Sequence, residues 1–296
     1  MDIAINTDFH GSQCCAEPKL RLIAEANFTH LHWCHEWNSD FLYSKYEISE
    51  IAKWLKKYNL KLLDIHGSTG REKLWFSPEE YRRKSGVELV LNRIRMFAEL
   101  EGQGGVIMHI PKITTAMTPE AHALAKTQYA ALKRSLDELM PELEKNNVLI
   151  AVENTFSDSF EFIYDLMENY PAEYLGITYD SGHGNIAEAK GLDLLEKVKD
   201  RIQVLHLNDN DHSGDQHQPP FYGNIDWDRM LDILNRSSYA QTDRPLSFEL
   251  ATYSTPFKTE ESDPEKLDAI LREFLKDAYA RCEKIAKKYE TMKKQN

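Results

Sequence analysis

The chain has 296 residues, 42% hydrophobic and 28% charged, which fits a single enzyme-sized globular domain with an ample core. Asp and Glu outnumber Lys and Arg, 48 to 36; the resulting charge of -12 opposes a nucleic-acid partner, and no apolar run approaches membrane-spanning length. Four cysteines without CxxC spacing (Cys14, Cys15, Cys34, Cys282), and an N-terminus that enters a strand without a basic region and long apolar stretch, point to a reducing, cytoplasmic setting with no disulfide framework.

The first strand is read at 3–5, with Phe9 and His10 near its mouth. The second, at 29–33, is followed by His35, Glu36 and Trp37. His32 and His35 flank Cys34; strand alternation is read as separating Cys34 from His32, so that His35 and Glu36 are expected in a pocket and His32 is not. Ile48, Ile51, Ala52 and Leu55 recur at helical spacing before a third strand at 61–65, which ends at His66. A fourth strand at 106–108 ends at His109, with Lys112 just beyond, and Tyr129, Leu132, Leu136, Leu139 and Leu143 mark the next helix.

The fifth strand, at 148–152, ends at Glu153, and the sixth, at 175–179, runs into AspSerGlyHisGly at 180–184. The seventh, at 202–207, carries His206, and the eighth, at 245–250, carries Glu249. Segments 208–225 and 251–264 are longer than simple connections and are expected on the active-site face. Asp226 is expected to cap a helix, and a long helix from 264 to about 289 is expected to close the chain.

Strand signals alternating with helical segments, without linkers or repeats, predict an α/β fold: a single-domain (β/α)8 TIM barrel spanning 1–296. A doubly wound open sheet would alternate too, yet gives no reason for ligand-type side chains to end so many strands. A barrel gathers strand C-termini on one face, turning His66, His109, Glu153, Asp180, His206 and Glu249 into a cluster. Any one of these has a bland explanation, as a helix cap or a surface histidine. Jointly, Glu153, Asp180, His206 and Glu249 make a mixed oxygen and nitrogen site suited to a divalent cation such as Mn, Mg, Co or Zn.

Glu153 with Asn154, AspSerGlyHis at 180–183, HisLeuAsnAsp at 206–209, GlyAsnIleAspTrp at 223–227 and the last-strand Glu249 resemble the xylose isomerase-like TIM-barrel superfamily, from the first strand to about residue 253. That superfamily holds sugar isomerases and 3-epimerases, inosose dehydratase relatives and an apurinic endonuclease branch. For the isomerase and epimerase branch the resemblance implies one metal on Glu153, Asp180, His206 and Glu249, with Glu153 and Glu249 as catalytic base and acid through an enediolate. The substrate would be a small sugar or sugar phosphate, with His183 holding a hydroxyl. His10, Trp33, His35, Trp37 and Lys112 are candidate substrate contacts, Phe9 a further apolar wall, and a homodimer through the outer helices is compatible.

For the endonuclease branch it implies two or three zinc ions on His66, His109, Glu153, Asp180, His183, His206, Asp215, His217 and Glu249, hydrolysing a phosphodiester at abasic DNA. Against this stand the AsnThrAspPheHisGly segment at 6–11, where DNA-binding members carry a glycine-rich turn, and the acidic balance. A metal-assisted lyase or dehydratase of a polyol, and a barrel that binds a metabolite without turnover, complete the alternatives.

Overall fold

The computed structural model describes residues 2–11, 15–188 and 190–294; Cys14 lies outside them. The chain runs β1 (Ile3–Asn6), α1 (Glu17–Glu25), β2 (His30–Trp33), α2 (Lys45–Tyr58), β3 (Lys61–His66), α3 (Glu80–Glu99), β4 (Val106–Met108) and α4 (Pro119–Asn146). It continues through β5 (Ile150–Glu153), α5 (Glu161–Asn169), β6 (Leu175–Asp180), the short helices α6 (Ser181–Asn185) and α7 (Gly191–Glu196), β7 (Ile202–His206), α8 (Trp227–Asn235), β8 (Leu246–Phe248) and α9 (Pro264–Lys293). Paired strands are parallel in the order β7-β6-β5-β4-β3-β2-β1-β8. A Leu207–Phe248 bridge joins the two ends, so the sheet closes into the expected (β/α)8 barrel.

Local sequence explains the helix ends. Ser44 accepts from the Glu47 amide while the Glu47 carboxylate accepts from the Ser44 amide, a reciprocal cap that starts α2 and turns Ile48, Ile51 and Leu55 inward. Thr118 with Pro119 starts α4, and Asp263 with Pro264 starts α9. Along α9, Leu271, Phe274, Leu275, Ala278, Cys282, Ile285, Ala286 and Tyr289 are buried at three- and four-residue spacing, and the helix runs about a turn beyond the expected end. β5 begins two residues later than expected because Asn147 adopts a left-handed conformation and the Val148 amide bonds back to the Leu143 carbonyl, so 148–149 belong to the helix exit.

The barrel buries two unlike environments. Between strands and helices lies a continuous apolar core that includes Leu31, Leu136, Leu205 and Phe274. Inside the lumen, Ile107, Ala151 and Val204 belong to a separate small apolar cluster with Leu149. With a side-chain period of two, the residues directly above three of these are His109, Glu153 and His206. The same parity aligns Asp64 with His66, Thr178 with Asp180 and Ser247 with Glu249. Among the described residues no helix is long and apolar enough to cross a membrane.

Candidate metal centre

The strand ladders bring the ligand-type side chains level. Asp180 pairs with His206 across β6 and β7, and Glu153 with Thr178 across β5 and β6. Glu249 follows the last ladder residue of β8 and is held beside His206 by its amide bond to the Leu207 carbonyl at 3.1 Å.

His206 is the hub. Its Nδ1–H donates to Glu153 Oε1 at 2.8 Å and stands 3.1 Å from Glu249 Oε2, so the two glutamates approach one imidazole edge. Glu153 Oε2 lies 3.0 Å from His109 Nε2 and 3.7 Å from His66 Nε2. On the other side His183 Nδ1 is 3.7 Å from both Glu153 Oε1 and Asp180 Oδ2, while its Nε2 reaches Asp215 Oδ2 at 3.3 Å. Asp215 Oδ1 meets His217 Nε2 at 2.8 Å. All nine sequence-identified positions therefore stand in one contiguous cluster.

The electrostatics follow from burial among opposite charges. Burial alone pushes the Glu153 carboxyl up, but His206 and His109 override it and hold it well below the usual carboxylate range. Glu249 behaves in the same way, burial being overridden by His206 and His217. Burial lowers His206, yet Glu249 and Glu153 together raise it well above the ordinary imidazole value. His183, lowered by burial, is carried up to about 10 by Asp180 and Asp215. His66 goes the other way: burial and the adjacent His109 bring it down to about 3, so it remains neutral and available as a ligand. In this form, protons on His206 and His183 supply the positive charge that the carboxylates require.

These residues fit a cation. His206 Nε2 is buried without a hydrogen-bond partner and Glu153 Oε2 meets only the ring nitrogens of His109 and His66, an arrangement that is costly unless a ligand satisfies it. Glu153, Asp180, His206 and Glu249 each bring one donor atom within 4.8 Å of the others, as do the triads His66, His109, Glu153 and Asp180, His183, His217. Carboxylate oxygens with neutral imidazole suit Mn, Co, Zn or Mg.

Neighbouring motif residues set the ligands in place. Asn154 clamps the backbone of Asp180, donating to its carbonyl at 3.0 Å and accepting from its amide at 2.8 Å. Asn208 donates to both carboxylate oxygens of Asp180, at 3.2 and 3.1 Å, and a Cβ on Gly182 would fall 1.9 Å from the Asn208 Oδ1. Asp209 gathers the amides of Phe221 and Ile225 and the indole N–H of Trp227, folding the long segment that delivers Asp215 and His217. Asp226 caps α8, as its sequence position suggests.

The candidate substrate contacts scatter. Trp37 lies at the cluster, its ring 4.6 Å from that of His66 and 5.5 Å from His109. Trp33 and His35 line a separate cavity of about 490 Å³ with Phe41 and Trp54, and Trp33 donates to the Tyr43 hydroxyl. His10 meets Thr252 and lines another cavity between α1 and α9, and Phe9 is buried against Phe274. Lys112 bonds the Phe156 carbonyl at 2.6 Å on the His183 flank of the mouth.

One assignment requires correction. His32 and Cys34, two residues apart, share a strand face and do not oppose one another; both feel the charge of Glu249 and Asp64. His32 is fully buried, bonded through Nδ1 to Asp64, with Nε2 4.0 Å from Glu249 Oε1 and its ring 4.2 Å from that of His206. The signal that finds this pair is parity: Asp64 stands two residues below His66, and β2 and β3 pair His32 with Asp64.

Comparisons with known proteins agree with this fold. The sequence profile described as "Xylose isomerase-like TIM barrel" matches residues 20–278. The uncharacterized protein y4fM of Sinorhizobium fredii is 30% identical over 252 residues, 78% of this chain and 79% of that protein. The uncharacterized protein MJ1311 of Methanocaldococcus jannaschii is 25% identical over 202 residues, 66% of each. Among solved structures, a D-tagatose 3-epimerase-like protein superposes with TM-score 0.72 at 19% identity, covering 100% of this chain and 99% of that one. An L-ribulose 3-epimerase superposes with TM-score 0.68 at 17% identity, covering 99% and 97%. At these identities the structural likeness establishes the fold.

Proposed function

From the premise that the chain belongs to the xylose isomerase-like TIM-barrel family, we propose that it is a divalent-metal-dependent isomerase or epimerase of a small sugar or sugar phosphate, working in a reducing, cytoplasmic setting. The observation that carries this reading is the pair of buried glutamates, Glu153 and Glu249, brought together at His206 Nδ1 at 2.8 and 3.1 Å. The D-tagatose 3-epimerase-like and L-ribulose 3-epimerase structures share the fold, and the second is named for epimerising a ketose at one carbon.

A divalent cation held by Glu153, Asp180, His206 and Glu249 would supply Lewis-acid polarisation of a substrate carbonyl and its neighbouring hydroxyl. The chain supplies the proton transfer. Glu153 and Glu249, both ionised among histidines, have the state a base requires: one would take the C–H proton and become the neutral acid, and the other, once protonated from solvent, would deliver a proton to the opposite face. His183, its Nδ1 anchored on the Asn154 carbonyl at 2.9 Å, would turn its Nε2–H from Asp215 Oδ2, now 3.3 Å away, to a substrate hydroxyl. Trp37, packed over His66 and His109, keeps that side of the mouth apolar and restricts water near the reacting carbon.

The test is solvent exchange. Incubated with Mn²⁺, Co²⁺, Zn²⁺ or Mg²⁺ and a panel of ketoses and ketose phosphates in deuterated water, the protein should incorporate deuterium next to the carbonyl. Glu153→Gln or Glu249→Gln should abolish incorporation; wild-type exchange in both variants removes the assignment.

A second reading, metal-dependent phosphodiester hydrolysis, is favoured by one observation: Asp215 and His217 join His183 beyond what a single cation needs. Elemental analysis with more than one equivalent of zinc, together with cleavage of abasic DNA and no sugar exchange, would select it.

A further inference from the structure

A cavity of about 580 Å³ opens beside His183 and Asn154, between the segments that follow β4, β5 and β6. Thr114, Thr115, Thr155 and Ser157 line it, and the half-exposed ring of Phe156 stands 6.5 Å from that of His183. Its charged side chains are engaged. Lys112 lies 3.5 Å over the Phe156 ring and donates to the Phe156 carbonyl, and the Asp158 carboxylate attracts it, while Lys190 pairs with Glu188. No arginine is among the described lining residues.

The segment is built, not slack. The Ser159 amide bonds the Ile113 carbonyl at 2.9 Å, the Asp158 side chain accepts from the Phe160 amide at 2.9 Å, and Ser157 and Phe160 both hold left-handed conformations, with φ of 59° and 62°. A phosphate would have to draw Lys112 off the Phe156 carbonyl and ring and Lys190 off Glu188. A neutral polyhydroxylated ring would find hydroxyl partners and an aromatic face for its C–H surface, in a space of the size that takes a whole small-molecule moiety.

We propose that this cavity is a subsite for a second, non-reacting glycosyl unit, so that the substrate is a glycoside or disaccharide-sized sugar whose reacting ring sits at the metal centre. The proposal rests on the isomerase or epimerase reading and deepens it. Binding energy from the remote ring would then be available to orient the reacting one.

Calorimetric titration of the full chain loaded with Mn²⁺ tests it, using gluco-, galacto- and manno-configured disaccharides beside their component monosaccharides. At least one disaccharide should bind about tenfold or more tighter than its monosaccharides, a gain of about 1.4 kcal/mol. Phe156→Ala and the cavity-filling Thr115→Trp should each bring that ratio to within about twofold, in the range expected for losing an aromatic contact, with metal content unchanged. Equal affinities in the wild-type protein, absence of any sugar binding, or a ratio unmoved in both variants would overturn the subsite. So would binding of inorganic phosphate that Lys112→Ala abolishes, since that assigns the cavity to an anion. Deuterium exchange in the same preparations separates the two layers: exchange without disaccharide preference sinks the subsite alone. Disaccharide preference without exchange on any sugar sinks the isomerase reading and leaves a glycan-binding cavity.

Discussion

The shell between strands and helices and the lumen at the barrel mouth are equally buried and opposite in character. Leu136, Leu205 and Phe274 in the shell touch apolar neighbours and are wholly inaccessible to solvent. In the mouth, Glu153, Asp180, His206 and Glu249 are buried as charges, with His206 Nε2 lacking a protein partner. The shell gains free energy from removing apolar surface from water, whereas the mouth gives some back to hold unsatisfied polar atoms in place. Stability and chemistry are thus assigned to different faces of the same strands.

The largest expected effect tests the mouth. Glu153→Gln and Glu249→Gln should each lower deuterium exchange by about 10²–10⁴-fold while circular dichroism and cooperative urea unfolding show a folded barrel. If either variant unfolds, the separation of roles between mouth and shell is broken. Phe274→Ala tests the other side: removing a ring buried against Phe9 and Phe257 should cost about 3–5 kcal/mol in urea unfolding, with metal content per folded molecule unchanged.

Chelation tests whether the mouth depends on a bound cation. Removing a cation present at about a hundredfold its Kd forfeits about 3 kcal/mol, so thermal unfolding should move down by about 5–10 °C and recover on reloading. An unchanged midpoint with confirmed metal loss would show that protons on the histidines compensate fully.

The smallest effect concerns Asp158, whose carboxyl is raised from 3.8 to about 6, chiefly by burial, with the Phe160 amide and Lys112 opposing. The folded protein takes up this proton at higher pH than the unfolded chain does. The group's favourable contribution is therefore complete below pH 3.8 and is lost as pH rises through about 6. Asp158→Asn keeps an acceptor for the Phe160 amide and stays neutral, so it should raise stability at pH 7.5 by about 1–2 kcal/mol, a gain that vanishes near pH 4. Equal gains at both pH values would show that the ionised carboxylate carries no burial cost.

Much of the mouth was legible because strand-end position is a local property. A ligand-type residue directly after an apolar run, as at Glu153 or Asp180, needs only the barrel to be placed. Parity reaches one layer further but has to be applied residue by residue. It puts Trp33 on the opposite face from His32, where Tyr43 receives its indole N–H, and it puts His32 itself inside, against Asp64. Trp37, beyond the strand, obeys no such rule, and its place over His66 follows from how the 34–43 segment folds back.

By itself the sequence determined the barrel and the side chains that end its strands: hydrophobic period, helix caps and strand-end residues are all set within a few residues of one another. Tertiary structure decided what surrounds them. The His32–Asp64 pair, the Asn154 and Asn208 clamps on Asp180, and the cavity where Lys112 meets Phe156 each join segments from 26 to 44 residues apart. Those contacts arise from ladder register and loop packing, which depend on the closed barrel as a whole.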